Sequence, residues 1–217
     1  MTEEKALMLP TEKVKAITKS PKLMIIYSKP KAGKTTALSM LEDNLLLDFE
    51  DGSDFVDALK VKVNSLDELK NVAKAIREAN YPYRYITIDT VTALEDFVMP
   101  LAVKLYQDTP MGKTYDGNNI LKLPNGAGYL YHREAMEKVI NSIKGLAERV
   151  ILCGHLKDKQ LTTPDGKEVS ATDIDLIGKV RNIICSKADA IALLYRKDDK
   201  CYLNFKTSDI VTCGARP

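Results

Sequence analysis

The sequence predicts an α/β fold, in which a mainly parallel sheet has helices on both faces and a C-terminal β-hairpin. Short apolar runs alternate with amphipathic helical patterns, the order typical of parallel sheets. The first run leads into a phosphate-loop motif, and the last two are joined by Asp198 and Asp199, a hairpin turn signal. With 217 residues, 45% of them hydrophobic and 29% charged, the chain can bury one full core as a single domain.

The phosphate-loop motif occupies residues 27–36, YSKPKAGKTT, after the apolar run 23–27. In such a motif the backbone surrounds the phosphates, a lysine reaches the outer phosphates, and a serine or threonine binds magnesium. Lys34 and Thr35 hold those two positions, whereas Ser28 replaces the usual first glycine. The tripeptide GKT recurs at 112–114, where no strand precedes it, and we interpret that copy as loop. The residues predicted to bind a nucleotide are Lys29, Pro30, Lys31, Ala32, Gly33, Lys34, Thr35 and Thr36.

The remaining elements are predicted in order from their hydrophobic periodicity. Helices are expected over 35–42, after a capping box of Ser65 and Glu68, over 93–107 with a break at Pro100, over 129–147, and near 173–187. Strands are expected over 45–49, 85–88 and 149–153, and hairpins around 164–166 and over 190–205. The glycine- and proline-containing segment 108–128 is predicted to be a long loop.

The strand over 85–88 ends in Asp89, at the edge where parallel sheets bind their ligands. An acid that follows a strand downstream of a phosphate loop is typical of a Walker B site, where it supports magnesium. Asp89 and Thr35 are therefore the predicted magnesium residues. The alternative is that Asp89 or Thr90 only caps the next helix, and the two roles are compatible.

Glu50 and His155 end two further predicted strands at the same edge. Glu50 is predicted to polarise the water that attacks the γ-phosphate, with a solvated charge in an acidic turn as the alternative. The other carboxylates of that turn are Asp48, Asp51 and Asp54. His155 is predicted to contact the γ-phosphate and report its presence to the following segment, with a purely structural histidine as the alternative.

Cysteine usage and the chain ends give further expectations. The four cysteines include no Cys-x-x-Cys pair, and Cys153 lies in an apolar run, which predicts a buried thiol and fits a reducing cytoplasm. His132, on a helix, is predicted to lie at the surface, and two histidines make a zinc site improbable. No run approaches the ~18 apolar residues of a membrane span. Residues 1–20 are predicted to form an N-terminal arm or helix and 21–217 the domain, with truncation at its C-terminus left open.

Four motifs together resemble the RecA-like ATPase core, and most closely the small phage nucleotide-binding proteins of that class, some of which are single-strand annealing recombinases. They are KAGKTT at 31–36, LDFE at 47–50, IDTVTAL at 88–94 and CGH at 153–155. The resemblance implies ATP and Mg²⁺ as cofactors, with Lys34, Glu50 and His155 as catalytic residues and Asp89 as the Walker B acid. His155 would replace a γ-phosphate-sensing glutamine at the start of a DNA-binding loop.

The resemblance thus implies an ATP hydrolase that acts on single-stranded DNA in recombination, annealing or replication. It also implies a homo-oligomeric ring or filament in the cytoplasm, the host's if the chain is phage-encoded. Two alternatives stay open: a P-loop small-molecule kinase with residues 157–181 as its lid, and an ATP-gated assembly factor with weak turnover. The basic residues that could reach a neighbour's nucleotide are Lys179, Arg181, Lys187, Arg196, Lys206 and Arg216.

Overall fold

A computed structural model describes residues 11–13, 15, 20–162 and 166–216 of the chain. The expected N-terminal arm over 1–20 lies almost entirely outside these residues. The strands are β1 (Leu23–Ser28), β2 (Asn44–Asp48), β3 (Leu59–Lys62), β4 (Tyr85–Asp89), β5 (Arg149–Thr162), β6 (Glu168–Ile174), β7 (Ala190–Lys197), β8 (Lys200–Asn204) and β9 (Gly214–Ala215). The helices are α1 (Lys34–Ser39), α2 (Leu66–Glu78), α3 (Val91–Phe97), α4 (Met99–Gln107), α5 (Gly128–Lys144) and α6 (Val180–Lys187).

The sheet runs in the order β3-β2-β4-β5-β1-β7-β8, with β6 paired to β5 and β9 to β7. Every pair from β3 to β7 along this path is parallel, and the β7–β8 pair is antiparallel, which confirms the predicted sheet and closing hairpin. Asp198 and Asp199 both have positive φ, 50° and 59°, the left-handed backbone that a tight two-residue hairpin turn needs. The parallel register brings the carboxyl ends of β1, β2, β4 and β5 to one edge.

Helices cover both faces of the sheet, but unequally. On one face, apolar residues of α2 to α6, such as Leu69, Met136 and Ile184, pack against Ile25 of β1 in the larger buried cluster. On the other face α1 contributes Leu38 to a smaller cluster of five fully buried residues. None of the described helices has the length and apolar character needed to cross a membrane.

Helix boundaries follow local chemistry that periodicity only approximates. The helix expected over 93–107 is two helices, α3 and α4, because the chain turns at Val98 and Pro100 occupies the first turn of α4, where a missing N–H costs nothing. The expected capping box opens α2, with the Glu68 N–H donating to Ser65 Oγ at 3.1 Å. Its second half differs, because the Glu68 carboxylate accepts from the Asn64 N–H instead.

Three further predictions are corrected. The helix expected over 35–42 ends at Ser39, where the chain turns towards β2. The strand expected to end at Cys153 continues to Thr162, because residues beyond His155 pair antiparallel with β6. That pairing forms the hairpin expected around 164–166, and it also keeps the chain extended to Ile174, so the helix expected from 173 begins at Val180.

Two smaller features were also not anticipated. Strand β3, at one edge of the sheet, was not predicted, since its four residues LKVK form no apolar run. His132 is buried and not on the surface, because it lies on the face of α5 turned towards α3, where its Nε2 is 3.2 Å from the Glu95 carbonyl oxygen. Cys153 is a free, buried thiol, as predicted.

Candidate functional site

The phosphate loop joins the end of β1 to the start of α1. Gly33 precedes the helix with a φ of 101°, a left-handed conformation that favours glycine. The β7–β8 hairpin closes over this loop, since Cys201 Sγ lies 3.6 Å from the Ala32 carbonyl oxygen. A Cβ on Gly33 would lie only 3.4 Å from the same sulfur. The loop is thus fixed by its own backbone and by a strand from the far end of the chain.

Ser28, the residue in place of the usual glycine, holds the motif's lysine. Lys34 Nζ donates to Ser28 Oγ at 3.1 Å, and Ser28 Oγ donates to the Lys29 carbonyl oxygen at 2.8 Å. Lys34 is only 6% exposed, so its ammonium group is held within the site and not free in solvent. Ser28 has no positive φ, and the loop therefore does not need glycine at this position.

Thr35 and Asp89, the predicted magnesium residues, are in direct contact. Thr35 Oγ1 donates to Asp89 Oδ2 at 2.6 Å across the carboxyl ends of β1 and β4. Burial raises the pKa of Asp89, while the Thr35 hydrogen bond and nearby Lys34 oppose that rise. A hydroxyl and one carboxylate are the oxygen donors that Mg²⁺ takes from a protein when phosphates and waters supply the rest. The residues present therefore fit that ion.

The carboxylates of the acidic turn after β2 have different roles. The buried Asp48 carboxylate accepts from the backbone N–H groups of Glu50, Gly52 and Ser53 at 3.0, 3.3 and 2.9 Å. Burial alone would raise the pKa of Asp48, but these hydrogen bonds hold it below its usual value. Asp48 therefore shapes the turn. Two exposed carboxylates of the turn, Asp51 and Asp54, pair with Lys62 at 3.2 and 3.0 Å.

Glu50 is the carboxylate of this turn that faces the site. Its Oε1 accepts from Thr90 Oγ1 at 2.6 Å and from His155 Nε2 at 2.8 Å, and its Oε2 lies 3.1 Å from the same nitrogen. Since a carboxylate only accepts, Nε2 carries the proton in this pair. His155, Glu50 and Thr90, from three different strand ends, thus form one hydrogen-bonded group beside Asp89.

The backbone of His155 is tied to α3 and to the segment after β6. The His155 N–H donates to Thr92 Oγ1 at 3.1 Å, and Thr92 Oγ1 donates to the Asp175 carbonyl oxygen at 3.1 Å. Gly154 permits this close approach, because a Cβ there would meet Ile174 Cδ1 at 2.6 Å. A shift of His155 would therefore also move the β5–β6 hairpin that continues from it.

Sequence reasoning missed three hydroxyl groups of the site. Ser28 was interpreted only as a departure from the motif, Thr90 only as a helix cap, and Thr92 was part of the motif at 88–94 without a role of its own. Thr90 does cap α3, accepting the Ala93 N–H at 3.1 Å, and it contacts Glu50 with the same oxygen. The sequence signal for two of them was their position, because Ser28 ends β1 and Thr90 directly follows β4. Thr92 lies two residues further on, in α3.

Three basic residues in and after the β5–β6 hairpin have acidic partners within the chain. Lys157 pairs with Asp175 at 3.0 Å, and Lys159 pairs with the buried Asp173 at 3.0 Å. Arg181 contacts the same Asp173 carboxylate. In the described residues after the histidine, the chain is thus a paired hairpin whose Lys157 and Lys159 are neutralised within the chain.

Glu95 is a buried carboxylate next to this region, on α3. It accepts the Ile177 N–H with both oxygens, at 2.9 and 3.0 Å, and burial raises its pKa from 4.5 to about 7. The folded chain therefore binds this proton more tightly than the unfolded chain. The resulting stabilisation is fully present below pH 4.5 and is lost as the pH rises to about 7.

We expect Glu95→Gln to remove that loss, because the amide keeps the shape and the acceptor for Ile177 but cannot ionise. From pH 5 to pH 8 the unfolding free energy of the wild type should fall by about 3 kcal/mol relative to that of the variant. Urea denaturation at the two pH values measures it, with the exposed Glu42→Gln as the control that should follow the wild type. Parallel pH profiles for Glu95→Gln and the wild type would contradict the assignment.

The fold and the site define a P-loop nucleotide-binding domain: a phosphate loop after β1, an acid at the end of β4, and β5 inserted between those two strands. The chain belongs to the AAA domain family, whose model matches residues 20–216. Among solved structures, a KaiC-like protein from the hyperthermophilic archaeon Pyrococcus horikoshii is similar, at 13% identity and a TM-score of 0.45. The similarity covers 84% of this chain and 74% of that one. No curated protein matches the chain.

Proposed function

We propose that the chain is a magnesium-dependent ATP hydrolase whose turnover is controlled by the Glu50–His155 pair. The observation that carries the proposal is the hydrogen-bonded group of Glu50, Thr90 and His155. It lies beside Asp89, which contacts the Thr35 of the phosphate loop. Phosphate binding, ion binding and water activation can thus operate at one sheet edge.

Each side chain has a distinct part in this proposal. Lys34 exchanges the Ser28 hydroxyl for phosphate oxygens and neutralises their charge. Thr35 and Asp89 hold the Mg²⁺ ion, which, when bound, offsets negative charge on the phosphates. Glu50 orients the attacking water and accepts its proton. His155 donates through Nε2, to Glu50 without nucleotide and to the γ-phosphate with it.

The pairing of Glu50 favours gated turnover. A carboxylate that already accepts hydrogen bonds from Thr90 and His155 has less capacity left to accept one from the attacking water. Turnover should then be slow until His155 moves to the nucleotide. The contact between Glu50 and His155 also supports the second candidate, an ATP-gated assembly factor with weak turnover. Phosphate release measured with and without DNA distinguishes the two. Stimulation by DNA favours the first candidate, and slow unstimulated turnover favours the second.

Single-stranded DNA is the proposed macromolecular substrate, and a ring or filament the proposed assembly. The support is the continuity of β5, which carries His155 and extends directly into its pairing with β6. Lys157, Lys159 and Arg181 have acidic partners within the chain. DNA phosphates would therefore have to take the place of the Asp173 and Asp175 carboxylates as partners of these cations. The same pairing weighs against the kinase alternative, whose lid would need Arg181 free.

Of the basic residues that could act on a neighbour's nucleotide, three are engaged within the chain. Lys187 contacts Glu137, Arg216 lies 3.6 Å from Asp189, and Arg181 contacts Asp173. Lys179, Arg196 and Lys206 have no acidic partner among the described residues, and they are the stronger candidates for this role.

We expect ATP to change the affinity for single-stranded DNA through His155. Fluorescence anisotropy of a labelled oligonucleotide, with ATP, ADP or no nucleotide, measures the change. Wild-type affinity should differ between the nucleotide states, and His155→Ala should bind DNA with one affinity in all three. Binding should weaken with salt, at a log–log slope of about −0.7 for each phosphate neutralised.

The control is His132→Ala, which removes a histidine that is buried away from the site. If it folds, it should keep the nucleotide dependence. Equal wild-type affinity in all three states would exclude the switch while leaving ATP hydrolysis untouched. Loss of DNA binding in His155→Ala at every nucleotide state would instead make the histidine part of the DNA contact.

A further inference from the structure

Strand β8 is an exposed edge of the sheet whose central residues have little of the usual protection. Within the part of the chain that the structure describes, no strand pairs with its outer side. Between Lys200 and Lys206 the sequence is CYLNF, without a charge or a proline. The opposite edge, β3, is shorter and carries Lys60 and Lys62. Edge strands are normally protected from pairing by such charges, and in β8 the one charge, Lys200, lies at the first residue, which leaves residues 201–204 without any.

The exposed side chains of this edge are apolar and aromatic. Tyr202 and Leu203 are 41% and 45% exposed, and Tyr195 on the neighbouring strand is 42% exposed. Tyr195 and Tyr202 stack at a centroid distance of 5.5 Å with 20° between their planes. One side of the Tyr202 ring is therefore covered by Tyr195, and its other side is turned towards the open edge.

The hairpin register decides which backbone groups point outwards. Lys197 pairs with Lys200 next to the two-residue turn, so the pairs alternate from there between hydrogen-bonded and non-hydrogen-bonded. Lys200, Tyr202 and Asn204 direct their N–H and C=O groups towards β7. Cys201 and Leu203 direct theirs outwards, ready to pair with another strand.

We propose that β8 pairs antiparallel with β8 of a second copy of this chain, about a two-fold axis at Tyr202. Cys201 of one copy then exchanges backbone hydrogen bonds with Leu203 of the other, which satisfies all the outward groups of β8. Tyr202 faces its own symmetry mate in a non-hydrogen-bonded pair, where side chains approach most closely. The two Tyr195–Tyr202 stacks join into one row of four rings.

Charge selects this register over its neighbour. With the axis at Tyr202, Lys200 lies opposite Asn204, and Lys206 extends towards Asp198 of the other copy. With the axis at Leu203, Lys200 would lie opposite Lys206, a like-charge contact that destabilises a strand pair. The surface is thus complementary to itself in one register, which is what a two-fold interface requires.

Sedimentation velocity without nucleotide, over roughly two decades of protein concentration, tests the proposal. The wild type should pass from monomer to dimer as its concentration rises. Tyr202→Lys places two ammonium groups face to face and should weaken self-association by about tenfold or more. Leu59→Lys, at the exposed β3 edge, is the matched control and should dimerise like the wild type. Both variants should keep ATP binding, so the result is independent of the proposed function.

A cross-linking experiment keeps the test decisive if Tyr202→Lys does not fold. In a Cys201→Ala background, Tyr202→Cys puts two thiols opposite each other at a spacing suited to a disulfide. Mild oxidation should give a covalent dimer, and Cys201→Ala alone should give none. A wild type that stays monomeric at all concentrations would overturn the proposal. So would an assembly that Leu59→Lys abolishes, because that result would indicate head-to-tail pairing of β8 with β3.

Discussion

Lys34→Ala should abolish tight ATP binding while the domain stays folded. The ammonium group is held by Ser28 at 3.1 Å within a phosphate loop, and its removal leaves the phosphates without their nearest side-chain cation. Hydrogen bonds to charged groups contribute about 1.5–3 kcal/mol each, and contacts to two phosphates would therefore cost about 10²-fold or more in affinity. Fluorescent ATP titration and thermal melting measure the two parts of this expectation.

Lys113→Ala is the matched control, because residues 112–114 repeat the Gly-Lys-Thr tripeptide in an exposed turn between α4 and α5. Its ATP affinity should equal that of the wild type. Lys34 is largely buried, so some loss of melting temperature is expected as well. If Lys34→Ala binds ATP as the wild type does, the loop over 27–36 is not a phosphate site.

The sequence was sufficient to bring Lys34, Thr35, Glu50, Asp89 and His155 to one edge of the sheet. Each of them ends or follows an apolar run, and strands that alternate with helices run parallel, so their carboxyl ends coincide. That argument needs only the order of strands and helices along the chain. It holds although several helix boundaries were wrong by a few residues.

The choice among the acidic residues of the turn could not be made from sequence. Asp48, Glu50 and Asp51 lie within four positions, and their roles depend on where each side chain points after β2 ends. Asp48 turns back onto the N–H groups of its own turn, and Asp51 turns outwards to Lys62. Glu50 faces Thr90 and His155, which are 40 and 105 residues away along the chain. Such long-range partners leave no local pattern.

The continuation of β5 was hidden for a similar reason. Residues beyond His155 are largely polar and form no apolar run, so periodicity ends the strand at Cys153. Pairing of Leu156 with Ile174 and of the following residues with β6 keeps them extended. Strand propensity depends strongly on such cross-strand neighbours, and tertiary pairing prevailed over the local signal here.

Glu50→Gln should retain ATP and lower hydrolysis by about 10²–10⁴, the usual contribution of a positioned general base. The amide oxygen can take the place of Oε1, which receives both the Thr90 hydroxyl at 2.6 Å and the His155 Nε2 at 2.8 Å. The local structure should therefore persist while the proton acceptor is lost. Single-turnover release of phosphate from prebound ATP isolates this step from binding and product release.

Two neighbours make the comparison specific to Glu50. Asp51→Asn changes an exposed carboxylate that pairs with Lys62 and should hydrolyse ATP like the wild type. Asp48→Asn leaves one oxygen to accept what two carboxylate oxygens accept now, so it should lower the melting temperature and disorder the turn. Its activity loss should then follow its loss of stability, whereas Glu50→Gln should lose activity at unchanged stability. Normal turnover in Glu50→Gln, together with inactive but stable Asp51→Asn, would move the catalytic role to Asp51.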